Sequence, residues 1–412
     1  MERFTGILGI ILILGIAFLL SNNRKAINYR TVGVGLALQL GLAIFILLTP
    51  VGQWIFGVLG GWVTKILSYS DRGAEFVFGP LVKKGLMDKT FGDANSFIFF
   101  FKIIPTIIFV AVLVNIAYHI GLMQFIVQRM AKVMNKLMRV SGAEALSNVA
   151  STFVGQVEAQ IMIKPYLKGM TKSELMSSMT GSFACIAGGV MATYIALGIP
   201  ASYLIAASIM AAPGALAISK IMFPETEESE TKGTVKLHVA KSHANIVDAI
   251  SGGASDGLKV GLNVVAMLIG FIALIALLDA GLGKIGMLMQ IPNLSFKTIL
   301  GFVFSGFAWC MGVPSNEMQQ AGSLMGTKLV INEFVAYLDL SAIKSQLSPK
   351  TVVITTFALC GFANFSSVAI QIGGISELAP SRRTDLAKLG FRALIAGTLA
   401  SYMSATLAGM FV

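Results

Sequence analysis

The sequence predicts an all-α polytopic membrane protein: eight transmembrane helices plus two re-entrant hairpins in an inverted repeat, with interfacial helices beside them. Three observations carry this reading. Of 412 residues, 55% are hydrophobic and only 12% charged, about half the charged share of a soluble domain. Mean hydropathy is +0.79, and apolar windows long enough to cross a hydrocarbon core, which takes roughly 20 residues per helix, recur to the end of the sequence. Two further apolar stretches are broken near their middles by polar and Gly or Pro residues.

Residues 1–118 hold the first helices. The stretch 4–20 reads as a retained span, since no net-basic segment precedes it and no small-residue cleavage site follows. Spans follow at about 32–51 and 97–118, with Lys102 and Pro105 interrupting the latter without ending it. Between them Lys65, Arg72, Lys83, Lys84 and Lys89 balance Asp71, Glu75, Asp88 and Asp93, so 52–96 suits the outer face. Residues 119–222 form a first repeat: an amphipathic stretch at about 122–140 suited to the headgroups, a hairpin at 144–168 broken at Gly155-Gln156-Val157-Glu158, and spans at about 174–197 and 199–222. Residues 223–257 turn polar, with Glu225, Glu227, Glu228 and Glu230 ahead of Lys232, Lys236 and Lys241, and read as a solvated cytoplasmic loop. A crossing helix occupies 258–286. Residues 287–412 form the second repeat: a hairpin within 297–338 broken at Gly312-Val313-Pro314-Ser315-Asn316-Glu317, then spans at about 350–376 and 388–411.

The net charge of +11 needs no nucleic acid to explain it. Arg24, Lys25 and Arg30 follow the first span, Arg129, Lys132, Lys136 and Arg139 the third, and Arg382 and Arg383 precede the last. Placing all three clusters in the cytoplasm puts the N-terminus outside the cell membrane. Cys185, Cys310 and Cys360 lie singly in apolar stretches, so neither a disulfide nor a zinc site is expected. His238 and His243 are a weak metal pair in a polar loop, and His119 marks a helix end. No cofactor is implied.

Irregular backbone at membrane depth survives only where protein or a watery cavity satisfies its polar groups, so both hairpin tips are expected at one interior site. The second and first halves parallel each other, Phe357-Ala358-Leu359-Cys360-Gly361-Phe362-Ala363-Asn364 against Phe183-Ala184-Cys185-Ile186-Ala187-Gly188-Gly189-Val190. Such paired interruptions point to a transporter's midplane site. An ionised carboxylate there costs roughly 2.5–3.5 kcal/mol, which singles out Glu158 and Glu317; capping of their own hairpin turns is the plainer alternative. Gln156, Asn316, Asn364, Ser366 and Ser367 add amides and hydroxyls. With neither Arg nor Lys at these breaks, the expected solute is neutral, polar and rich in hydroxyl or amide groups. Phe362 lies against a planar ring or simply packs. A channel or facilitator also uses re-entrant segments. An intramembrane enzyme is disfavoured, because no His, Cys and Asp or Ser and Lys constellation sits at the breaks, and a dicarboxylate carrier would want a basic residue there.

These motifs resemble those of the concentrative nucleoside transporters in their shorter bacterial form, and Gly326-Thr327-Lys328 with Asn332-Glu333-Phe334-Val335-Ala336-Tyr337 is similar to the family's signature. The resemblance implies a homotrimer in the cell membrane whose protomers work singly, each with a scaffold and a mobile transport part. It implies that Gln156 and Glu158 face the nucleobase with Val157 beside them, that Val190 and Phe362 wall it, and that Glu317, Asn364 and Ser367 hold the ribose beside Asn316. Two departures stand out. Val157 replaces a Thr or Ser, and Gln160 a Pro. Sodium-coupled members also use an Asn and a Ser where this chain has Ser151 and Cys185. A thiol is a poor ligand for a hard cation, so the expectation is proton coupling with Glu158 as carrier, since a carboxyl taken out of water holds its proton more readily. Sodium at Ser151, Cys185 and the carbonyls of Val154 and Ile186, helped by Asn148, is the alternative.

Overall fold

In the computed structural model, residues 2–83, 86–87, 89, 98–232, 243–291 and 293–412 are described, and they are helical with no strand among them. Lys84, Asp88, Asp93, Lys236, His238 and Lys241 lie outside these residues. The chain opens with α1 (Glu2–Leu19) and α2 (Tyr29–Leu48), the second capped by Asn28, whose side chain accepts from the backbone N–H of Arg30 and Thr31. Thr49 caps α3 (Pro50–Ser68), with Pro50 in the first turn where its missing N–H is harmless. Together with α4 (Ser70–Phe78), α3 occupies much of the near-neutral segment expected outside. Trp54 and Trp62 are exposed along it, as indoles at a membrane interface are.

Two series of helices then repeat the same order. In the first, α5 (Phe99–His119) runs through Pro105 unbroken, and the amphipathic α6 (Leu122–Met138) turns at Arg139, whose φ is 54°. The hairpin arms are α7 (Gly142–Ser151), opened by a Ser141–Glu144 capping box, and α8 (Glu158–Met162). A broken span follows as α9 (Lys172–Ala184) and α10 (Gly188–Ala196), then α11 (Ala201–Met222). In the second series α12 (Ile246–Met289) matches α5, and α13 (Phe296–Cys310) matches α6. The arms α14 (Met318–Val330) and α15 (Glu333–Ile343) match α7 and α8. The broken span is α16 (Pro349–Leu359) and α17 (Phe365–Leu378), and α18 (Arg383–Phe411) closes the chain.

This order corrects the expected second hairpin. The turn at Gly312–Glu317 joins α13 to α14 and corresponds to the Arg139–Ser141 turn, whereas the tip that matches 155–157 is Ile331-Asn332. No Gly or Pro marks that tip; Asn332 makes it by capping α15, its side chain accepting from the Val335 N–H. The polar loop is also shorter than expected. Asn245 caps α12 by accepting from Asp248, so helix begins at Ile246.

Among the described residues six segments are long and apolar enough to span: α2, α5, the α9–α10 pair, α11, α12 and 380–411. The most apolar stretches of α11 and of 380–411 are mostly buried and that of α12 mostly is not, so the first two form the inner core. With 44 residues, α12 is about 66 Å long at 1.5 Å per residue, twice the ~30 Å hydrocarbon layer. It lies on α5 through Gly253, Gly257 and Gly261, a stripe on which the backbones close up; a Cβ at Gly257 would stand 2.6 Å from the Ile108 Cα.

Candidate functional site

The two broken spans cross at their breaks. The Phe362 N–H donates to the Cys185 carbonyl (3.2 Å), which satisfies backbone groups that lipid could not. Gly361, at φ +150°, permits the approach, because a Cβ there would lie 2.7 Å from the Phe183 carbonyl oxygen. The first hairpin docks on the crossing through the Gly188 N–H, which donates to the Phe153 carbonyl (3.0 Å).

The second hairpin brings Glu333 to the same place. As first residue of α15, it accepts from the Tyr194 hydroxyl (3.2 Å) and the Asn364 Nδ2 (2.9 Å). Tyr194, on α10, stacks on Tyr337 with ring centroids 4.2 Å apart. The Asn364 Oδ1 caps α17, accepting from the Ser367 N–H (2.8 Å) and the Ser366 hydroxyl (2.7 Å). From the opposite tip, the Gln156 Nε2 donates to the Ser367 Oγ (3.5 Å), while the Gln156 Oε1 is buried with no partner among the described residues. A polar line therefore runs Gln156, Ser367, Asn364, Glu333, Tyr194, from one hairpin tip to the other. The N-termini of α15 and α17, and their positive dipole ends, face it.

The remaining expected residues fall as follows. Val190 and Phe362 are half-buried beside the core. Glu158, exposed, begins α8, and the Val157 methyls face α17 so closely that a Cβ at Gly374 would come within 2.8 Å of them. Glu317 and Asn316 do not join the group. The Glu317 carboxylate accepts from the Ser348 N–H (3.0 Å) and hydroxyl (2.7 Å) at the start of α16. That helix has 11 residues, so about 16 Å of helix separates Ser348 from the break. Sequence reasoning missed Glu333 and Tyr194. The signal for Glu333 was the Asn332-Glu333 pair, a capping residue ahead of an acidic first turn.

On the other side of the first break, polar groups are tied to one another. Ser151 donates to the Ser147 carbonyl (2.8 Å) and sits 3.0 Å from the Ser182 Oγ. The Gln160 Nε2 donates to the hydroxyls of Ser147 (3.2 Å) and Ser182 (3.0 Å), and its Oε1 accepts from Ser178 (2.6 Å). Cys185 lies buried, its Sγ 3.7 Å from the Thr152 Oγ1. Val154 and Ile186 are buried beside it. Asn148 turns to α9, donating to the Ser177 carbonyl (3.2 Å). Among the described residues no three His, Cys, Asp or Glu side chains gather as metal ligands.

Family comparison decides what this crossing belongs to. A family model described as Na+ dependent nucleoside transporter C-terminus matches residues 203–409, its N-terminus counterpart residues 8–81, and one described as Nucleoside recognition residues 100–201. The chain belongs to the concentrative nucleoside transporter family. An uncharacterized transporter of Haemophilus influenzae is 44% identical across 100% of this chain and 98% of its own length. The nucleoside permease NupC of Helicobacter pylori is 37% identical, covering 98% of this chain and 97% of that one. The solved structure of CNTnw in an inward-facing substrate-bound state is 40% identical and superposes with a TM-score of 0.93, covering 99% of this chain and 98% of that one. As a concentrative nucleoside transporter the chain is a multi-pass membrane carrier, not an enzyme, and its family works by ion coupling rather than through a bound cofactor.

Proposed function

We propose that this protein imports nucleosides across the cell membrane in symport with protons. The carrying observation is the polar line between the hairpin tips, with the Gln156 Oε1 left without a partner among the described residues. A buried amide oxygen without a donor loses about 1–3 kcal/mol, and an N–H of a nucleobase is a donor of the right kind. Gln156 and Glu158 then meet the base, with Val157 nearby and Val190 and Phe362 as its apolar walls. Glu333, Asn364 and Ser367 accept and donate to the ribose hydroxyls, Glu333 taking the role that Glu317 was expected to fill. The protein works as a homotrimer with its N-terminus outside.

Proton coupling is supported by the hydrogen bonds around Ser151. A metal cation wants several free oxygen lone pairs, but the Gln160 amide directs its N–H donors at Ser147 and Ser182, and Ser151 is already paired with Ser182. Sodium is the second reading, favoured by the description of the matching family models as Na+ dependent. Uptake of labelled uridine and adenosine into proteoliposomes, with proton and sodium gradients imposed separately, tests both parts. Proton-driven accumulation of either nucleoside is the expected result. Accumulation driven by sodium alone overturns the coupling, and no uptake under either gradient overturns the substrate class.

A further inference from the structure

A break in a helix at membrane depth leaves the last carbonyls of its first half without intrahelical partners, at the negative end of a half-helix dipole worth roughly half an elementary charge. The two breaks are partnered differently. At the first, the Phe362 N–H donates to the Cys185 carbonyl (3.2 Å), and the Ser401 hydroxyl, whose single proton also has the Cys360 and Gly397 carbonyls within reach, stands 3.5 Å from the Ala184 carbonyl oxygen. Among the described residues no Lys or Arg donates to this end of α9. At the second, the Lys328 Nζ donates to the Ala358 carbonyl at 2.7 Å. The Tyr337 hydroxyl reaches the Thr356 carbonyl (2.7 Å) and the Ser401 hydroxyl that of Cys360 (3.2 Å).

Lys328 is fully buried, with 0% exposure. An ammonium taken out of water is among the least favourable groups to bury without a partner, and among the described residues no carboxylate forms an ion pair with it. Its one described acceptor is the carbonyl at the end of α16. It also stands on α14 five residues before Glu333, the carboxylate that holds Asn364. Among the described residues the fold thus aims a lysine amine at the second break and none at the first.

We propose that Lys328 is the resident cation of the second break, an ammonium tethered where the backbone would otherwise require a free ion. It offsets the dipole of α16 and fixes the geometry of residues 360–364, and so it positions Asn364 against Glu333. It is a positioning residue, and it confines any exchangeable positive charge to the first repeat.

The experiment uses the purified full-length protein in choline buffer, with and without n-propylammonium at equal ionic strength. Thermal unfolding and uridine binding by calorimetry are the readouts, for the wild type, Lys328→Met and Lys328→Ala. Lys328→Met should bind uridine at least tenfold more weakly and ignore the added amine. Lys328→Ala, which leaves room for the amine, should lose affinity similarly and regain it severalfold as n-propylammonium is added. Its unfolding temperature should rise in parallel, with no such response in the wild type. Normal affinity in Lys328→Met, or a Lys328→Ala defect that no amine relieves in either readout, overturns the proposal. If Lys328→Ala is unfolded in choline, folding restored by the amine supports it and continued unfolding overturns it. The affinity arm rests on the nucleoside reading above and the unfolding arm does not, so a wild type that binds no nucleoside counts against that reading alone.

Discussion

Glu317 and Glu333 divide two tasks that one residue was expected to combine. Glu317 accepts from both the backbone and side chain of Ser348, and so fastens the α13–α14 turn to the start of α16. Glu333 faces Tyr194 and Asn364 at the crossing. Losing a hydrogen bond to a charged group costs roughly 1.5–3 kcal/mol, so Glu333→Gln should weaken nucleoside binding about tenfold or more. Glu317→Gln should leave affinity nearly unchanged and lower the unfolding temperature instead. Calorimetric titration of both variants decides between them; the reverse ranking would return the ribose to Glu317. A second prediction concerns the base of the first hairpin. There Lys220 on α11 pairs with Glu144 at 2.7 Å, both side chains being almost fully buried. Removing one member of a buried pair strands the other and costs roughly 3–5 kcal/mol. Lys220→Met should therefore lower stability strongly, and adding Glu144→Gln, which keeps an acceptor for the Ser141 N–H, should recover much of the loss in thermal unfolding.

At the scale of elements, what was legible in the sequence is what apolar length and helix breakers encode. The broken spans at 185–189 and 360–364 and the first hairpin carry Gly or a cluster of polar residues inside apolar runs. The second tip has neither: Ile331 continues the apolar pattern, and the break arises from the Asn332 side chain capping α15. Gly312 and Pro314 therefore drew the expected tip to the wrong turn. The start of α12 was hidden for a different reason. Its first turns are polar and glycine-rich, and what makes them helical includes a neighbour, since Gly253 and Gly257 lie against the α5 backbone. Gly257→Val should separate the two helices, because the obstructing atom is a backbone Cα at 2.6 Å and not a mobile side-chain end. The expected outcome is loss of folded protein in size-exclusion chromatography; a normal elution profile would mean that α5 and α12 are free to move apart. The ring through Gln160 was equally invisible, because a Gln at that position shows its role only when Ser147, Ser178 and Ser182 from two other helices converge on it.

For the whole molecule, the proposed cycle places exchangeable charge in the first repeat and a resident charge in the second. In the first repeat Glu158 stands exposed at the head of α8, and the hydroxyls of Ser147, Ser178 and Ser182 are tied to the Gln160 amide. In the second, Glu333 is held by two donors and Lys328 is buried behind it. Under the proposed proton coupling, Glu158 is the carboxylate of the first hairpin tip that would carry the proton through the cycle. One pH unit is worth about 1.36 kcal/mol, enough for roughly tenfold accumulation with one proton per nucleoside, and an inside-negative potential of 100 mV adds about 2.3 kcal/mol for each charge moved. Glu158→Gln removes the carboxyl while keeping a polar side chain of similar size. It should abolish accumulation driven by an inward proton gradient, yet leave exchange of labelled for unlabelled uridine across the same proteoliposomes, since exchange needs the site but no net proton movement. Retained proton-driven accumulation in Glu158→Gln would place the carrier elsewhere, and strong sodium stimulation of the wild type at constant pH would show that the Ser151 and Cys185 side of the first break accepts a metal ion after all.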